Sequence, residues 1–456
     1  MRPETPLPQR TRVATELPTI AESLPQPAKP WPPALRVGFR FWFAYCILFT
    51  GATQIINSIL IVPHVVVPDM PDWATLWPVR SGVIWTAQHV FRDKADLIYT
   101  DTGSGDKTFD WVLAFCILVL SLLATAVWSA VDRKQKSYPG LSKWFRLFLR
   151  VALASQMFVY GFAKVVPLQI YFPFPFTFLE PFRHFSPMGI LFASIGISPA
   201  YEIFTGCAEV AGGFLLIFPR TVTLGALICL ADMIQVFVLD MTYDVCVKLF
   251  SFHLIVFSLL LLAPDIRRLF DLFILNRPAT LVPAQPLFRS PRANRITRAI
   301  LAALWLWMIA ANLLDVWKGW HEVGTARPKP ALYGVWTIDE LAVDGQEQPL
   351  IATNGGEWRR MTFDLPNWAH VQRMDDTIIG YDAAIDAQRK TLALTPFSDE
   401  NWHASFSYSR PAADELLLDG AANGHKEHIR LRLMDDTKFP LTSRGFHWIQ
   451  DVPFRH

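Results

Sequence analysis

Residues 200–239 read AYEIFTGCAEVAGGFLLIFPRTVTLGALICLADMIQVFVL. In this stretch only Glu202, Glu209, Arg220 and Asp232 are charged, and Pro219-Arg220 divides it into two apolar runs. Each run approaches the roughly 20 residues that a bilayer-crossing helix requires. Two such runs back to back predict adjacent membrane spans, Ala200–Phe218 and Thr221–Leu239, rather than helices of a water-soluble core.

The same texture extends in both directions. Phe41–Ile61, Trp111–Val131, Trp144–Val166, Cys246–Ala263 and Ile296–Trp317 are further candidates, about seven spans in all. Composition agrees: charged residues are 18%, below the roughly 25% of soluble domains, and apolar residues reach 52%. A net charge of +2 gives no electrostatic support to nucleic-acid binding. Cys46, Cys116, Cys207, Cys229 and Cys246 all lie in apolar stretches without a C-x-x-C pair, which reads as small buried hydrophobes.

The chain divides into five regions. Residues 1–34 are proline-rich and predict a disordered cytoplasmic tail. Residues 35–140 form an N-terminal hairpin with an outer loop, and 141–277 a four-helix core. Residues 278–320 hold a cytoplasmic linker and the seventh span, and 321–456 a β-rich outer domain. Arg and Lys gather before the first span (Arg36, Arg40), between the second and third (Arg133 to Arg146), at Arg220, and between the sixth and seventh (Arg267 to Arg295). Alternate loops are acidic, with Asp93, Asp96, Asp101 and Asp106 in one and Asp240 and Asp244 in another. This bias predicts a cytoplasmic N-terminus and an extracytoplasmic C-terminal domain.

From about Tyr333 the apolar period becomes two: Met361, Phe363 and Leu365, then Ile429, Leu431 and Leu433. Asp344-Gly345, Asn354-Gly355-Gly356, Asp419-Gly420 and Asn423-Gly424 supply turn signals, and together these predict an antiparallel β-barrel or β-sandwich. Gly334-Val335-Trp336 resembles the opening of a lipocalin-type barrel.

A charge within a span costs several kcal/mol, about 2.5–3.5 on insertion scales, so polar residues mark the bundle interior. Met157, Gly161 and Lys164 share one helical stripe; so do Glu202, Gly206, Glu209 and Gly213. Asp232 and Gln235 share a face, as do Asp244, Lys248 and Ser251, with His253 half a turn away. One reading is a polar chamber between the third and sixth spans, with Lys164 and Glu209 as an ion pair or proton relay. The other is helix–helix packing without chemistry. Asp244 and Lys248 also suit anchoring at the membrane boundary, and His253 a hydrogen-bonded core position. The Phe- and Pro-dense loop Tyr171–Pro199, with Arg183 and His184, lies on the outer surface beside that chamber. There it either receives a planar apolar ligand such as a quinone or serves as an inert plug. No phosphate-binding loop, nucleophile elbow or zinc-protease helix is present in the sequence. His425 and His428 fall on opposite strand faces, so no metal site is expected.

Arg150–Lys164, ending Tyr160-Gly161-Phe162-Ala163-Lys164, and Gly206–Gly225, with Glu209-Val210-Ala211-Gly212-Gly213 and Pro219-Arg220-Thr221, resemble the first two helices of the DoxX family. Asp244 through Ala263-Pro264-Asp265 is similar to the last helix of its longer members. The resemblance covers roughly 141–277 and implies a four-helix membrane core in a bacterial inner (plasma) membrane, associated in some members with quinone-linked sulfur oxidation. It marks Lys164, Glu202 and Glu209 as candidate catalytic residues. The added hairpin, seventh span and β-domain depart from the compact family pattern. The function expected is support of a quinone-linked oxidoreductase process, with the bilayer, a quinone and other membrane or extracytoplasmic proteins as partners. The alternative is a non-enzymatic scaffold whose β-domain binds a lipid or a protein.

Overall fold

The computed structural model describes residues 30–60, 73–93, 95–278, 286–350, 357–399, 401–435 and 439–454. Most of the expected N-terminal tail and the Asn354-Gly355-Gly356 turn lie outside the described residues.

The helices of seven residues or more, in chain order, are α1 (Pro33–Ala52), α2 (Gln54–Leu60), α3 (Val79–Thr86), α4 (Thr108–Val131), α5 (Pro139–Val165), α6 (Pro187–Gly196), α7 (Pro199–Ile217), α8 (Val222–Thr242), α9 (Lys248–Leu262), α10 (Ile266–Phe273) and α11 (Pro291–Glu322). Prolines at the first positions of α1, α5, α6, α7 and α11 fit there because the missing N–H has no helical partner anyway.

Five helical runs are long and apolar enough to cross a membrane: α4, α7, α8, the Lys248–Phe273 run through α9 and α10, and α11. The expected first span is instead a bent pair, α1 and α2, turned by 77° at Thr53, and counts as a sixth if taken as one. Thr53 is extended, and its hydroxyl donates back to the Phe49 carbonyl, so the helix ends one residue before α2 begins. The remaining expected span corresponds to α5. It has 27 residues, but Arg146, Arg150, Gln156 and Lys164 dilute its apolar character. Every α5 residue from Val151 to Phe158 is buried, so neighbouring helices cover it and it needs no lipid-compatible outer surface. By contrast α4 exposes Leu120, Leu122, Leu123 and Val127 on its outside, an apolar face that water would not tolerate.

Close helix seams depend on glycine. A Cβ on Gly206 of α7 would stand 2.8 Å from the Gly161 carbonyl oxygen and 2.8 Å from the Val165 nitrogen of α5. The backbones therefore touch, as small residues permit between membrane helices. At another seam Arg40 of α1 is buried and donates to the Tyr138 hydroxyl, the Ser129 hydroxyl and the Asp132 carbonyl, tying α1 to the α4–α5 turn.

The C-terminal domain is a closed antiparallel barrel. Strands β1 (Gly334–Val343), β2 (Gln346–Glu347), β3 (Trp358–Leu365), β4 (Trp368–Arg373), β5 (Ile378–Asp386), β6 (Thr391–Pro396), β7 (Ala404–Ser409), β8 (Glu415–Ala422) and β9 (His425–Leu433) follow in order, and β1 pairs with β9 to shut the sheet. The two-residue β2 folds back on β1, so eight strands make the barrel wall. Asp344-Gly345 and Asn423-Gly424 both have positive φ at each residue, the geometry of tight hairpin turns. Asp419-Gly420, expected as a turn, lies inside β8 instead, where Gly420 lets the strand press on the backbone of Ser405 and Phe406. Trp336, Met361, Phe363, Tyr381, Phe406 and Leu431 are buried in the interior, as expected of a barrel just wide enough for its side chains.

Candidate functional site

Three helices build a buried polar cluster beside the α5–α7 seam. Lys164 lies in the last turn of α5, and Glu209 nearly three turns into α7. The Lys164 ammonium and the Glu209 carboxylate form a salt bridge, with Glu209 fully enclosed. Asp232 of α8 is half-buried and within hydrogen-bonding reach of the Glu209 carboxyl. Glu202, one helical stretch before Glu209 on the same face of α7, accepts from the Ile170 backbone N–H at 2.9 Å and so pins the chain as it leaves α5. One carboxyl oxygen on each of Glu202, Glu209 and Asp232 is buried and lacks a donor among the described residues. Three carboxyls thus share this part of the bundle with one lysine, and the charge balance leaves room for a proton or for a donor group on a ligand.

The other expected members stand elsewhere. Gln235 is exposed on the outside of α8, away from Asp232's inward face. His253 is a core residue: its Nε2 is 2.7 Å from the Tyr45 hydroxyl, its Nδ1 2.6 Å from the Leu249 carbonyl, and Phe49 stacks on its ring at 3.8 Å. With both nitrogens engaged, the ring offers no free ligand.

Asp244 is exposed at positive φ before α9 and pairs with Lys248 at 2.8 Å. Asp240, read in the sequence as a loop residue, sits within α8, is buried and accepts from the Ser251 hydroxyl at 2.6 Å. The start of α9 is capped across the fold by Asp106, whose two oxygens accept from the backbone N–H groups of Lys248 (2.8 Å) and Leu249 (2.9 Å). No spacing rule in the sequence links Asp106 to α9, 142 residues away.

The 171–185 segment packs on the barrel. Phe176 stacks on His370 at 4.0 Å, Gln372 donates to the Leu179 carbonyl at 2.9 Å, and Arg183 bonds Asp376 at 3.0 Å. Arg183 also donates to His184 at 3.1 Å. Both residues therefore belong to the loop–barrel contact. This contact buries Thr362, Asp364 and Gln372 on β3 and β4, which simple alternation would leave exposed. Cys207 is exposed on α7, unlike the buried Cys46 and Cys229, and all five thiols are free. Among the described residues no group of three or more His, Cys, Asp or Glu is arranged to hold a metal ion.

Fold and site together define a class: a bundle of membrane-length helices with a buried lysine–carboxylate cluster, joined to a closed eight-stranded barrel. Within that class the chain belongs to the family of the uncharacterized protein YwoB of Bacillus subtilis (strain 168). The two are 34% identical over 139 residues, which is 30% of this chain and 84% of the relative. No family model matches the chain, and no solved structure matches it.

Proposed function

We propose that this is a DoxX-like protein of the bacterial inner (plasma) membrane that supports a quinone-linked oxidoreductase process, with Lys164, Glu209 and Asp232 binding a polar head group or passing a proton. The observation that carries the reading is the enclosed Lys164–Glu209 pair with donor-less carboxyl oxygens around it. A charge pair placed inside apolar helices is costly and is retained where it serves transport, proton movement or ligand binding. Glu202 positions the segment leading out of α5, and the aromatic 171–185 segment provides an apolar approach for a planar ring.

In this reading the N-terminus is cytoplasmic and the barrel extracytoplasmic. Basic residues from separate segments of the chain, among them Arg146 of α5, Arg220, Arg268 of α10 and Arg289, line one cleft at one end of the bundle, in keeping with a single positively charged side.

The test is purification of the full chain in detergent with mass spectrometry of bound quinones, alongside quinone-dependent turnover of membranes carrying wild type, Lys164→Ala or Glu209→Gln. Loss of bound quinone or turnover in correctly inserted variants supports the reading. Unchanged activity in both would make the cluster purely structural.

A second reading, a scaffold whose barrel binds a protein partner, is favoured by Phe446, Trp448 and Ile449, which stand 78%, 91% and 83% exposed near the C-terminus. The filled barrel interior speaks against a lipid held inside it.

A further inference from the structure

We propose that the basic cleft at one end of the helical bundle is a binding site for an anionic two-chain phospholipid. The cleft has a volume of about 2960 Å³ and is bordered by the first halves of α1, α5 and α11, the end of α7, the start of α8, and α10. Small-molecule pockets occupy roughly 300–1,000 Å³, so this one is sized for something larger.

Its rim is strongly cationic. Eight lysines and arginines line it, against one carboxylate, Asp265, among the described residues. Arg146 and Arg268 share that carboxylate at 2.7 and 2.8 Å. Lys143 and Arg150 donate only to neutral carbonyls: Lys143 to Pro286, Arg150 to Leu216 and Ile217. Arg298 likewise donates to the Asn294 carbonyl. Arg220, Arg289 and Arg295 are exposed and have no carboxylate partner among the described residues. Among the described residues the rim thus keeps a large positive excess, which an anionic ligand would balance.

The wall beneath the rim is apolar, with Leu35, Phe39, Trp42, Leu301, Leu306 and Ile309. From Arg298 to Ile309, α11 rises about 16 Å, close to half the roughly 30 Å hydrocarbon thickness of a bilayer. An anionic head with acyl chains satisfies both ends of this cleft. A free phosphate satisfies only the rim. Basic pockets between helices at the cytoplasmic end of a bundle suit such head groups.

The chain's own residues 1–29 are the competing occupant. They carry Arg2, Arg10, Arg12 and Lys29 against Glu4, Glu16 and Glu22, so their charge does not complement a cationic rim.

The test is native mass spectrometry of the full chain in detergent, titrated with phosphatidylglycerol or phosphatidylethanolamine. It compares wild type, the R220Q/R289Q/R295Q variant and R389Q, a change on the exposed barrel surface. The expected result is saturable retention of phosphatidylglycerol over phosphatidylethanolamine. Affinity should fall about fivefold for each arginine removed and stay unchanged in R389Q. Equal retention of both lipids by wild type overturns the proposal even if the triple variant does not fold. So does retention in the triple variant equal to wild type. Complete displacement by inorganic phosphate would assign the rim to the free anion, and crosslinks placing residues 1–29 in the cleft would assign it to the tail. Either result overturns a lipid site.

Discussion

Lys164 and Glu209 meet as an enclosed ion pair although 45 residues separate them, because Gly206 and Gly161 allow α7 and α5 to touch at the same level. Removing one partner strands the other without compensation. Lys164→Met and Glu209→Met should therefore each lower stability by about 3–5 kcal/mol, and the Lys164→Met/Glu209→Met double variant should recover most of that loss. Thermal unfolding of the four corners of this cycle in detergent measures the coupling; simple addition of the two single effects would refute it.

The seam itself is testable apart from the charges. Gly206→Ala places a methyl group against the backbone of α5 and should cost about 1–3 kcal/mol. Gly38→Ala in α1, where nothing stands within 4 Å of the added carbon, should be neutral or stabilising by up to about 1 kcal/mol. Equal effects at both sites in thermal melts would show that propensity, not contact, decides.

Asp106 closes the start of α9 from a distant loop. Asp106→Ala should cost about 0.5–2 kcal/mol, as loss of an N-terminal cap does, and should raise amide hydrogen exchange at Lys248 and Leu249. Unaltered exchange there would mean that water replaces the cap without loss.

Gln372 joins the barrel to the aromatic segment through the Leu179 carbonyl and also accepts from Arg360 at 3.0 Å. Gln372→Ala should cost about 1–3 kcal/mol, since it strands buried polar groups, and should loosen residues 171–185. Limited proteolysis across that segment reads the change, and cleavage no faster than in wild type would count against it.

Glu427 in β9 has its carboxyl held above the usual range by burial, with His425 opposing and Asp344 adding to the effect. Its folded value exceeds the unfolded one of about 4.3, so the folded chain holds the extra proton between the two. Stability from this group therefore declines as pH rises through that window. Glu427→Gln should melt at a temperature that rises relative to wild type as pH increases from about 4 upward. Parallel curves for the two proteins would remove burial as the cause.

The sequence by itself determined the division into apolar helices and a strand-rich end. Run length and period follow directly from whether a segment meets lipid, core or water, as the stretches at 200–239 and 429–433 illustrate. It also marked Lys164, Glu202 and Glu209, because a charge in an apolar run is conspicuous. Only the tertiary structure decided that Asp232 joins them while Gln235 does not, that His253 is sealed by Tyr45 and Phe49, and that Arg183 serves the barrel. It also broke the first span at Thr53 and placed Asp240 inside a helix. Helical periodicity says which residues share a face, but the partner of that face is chosen by contacts tens to hundreds of residues apart. Those contacts depend on how closely glycine seams let the helices approach.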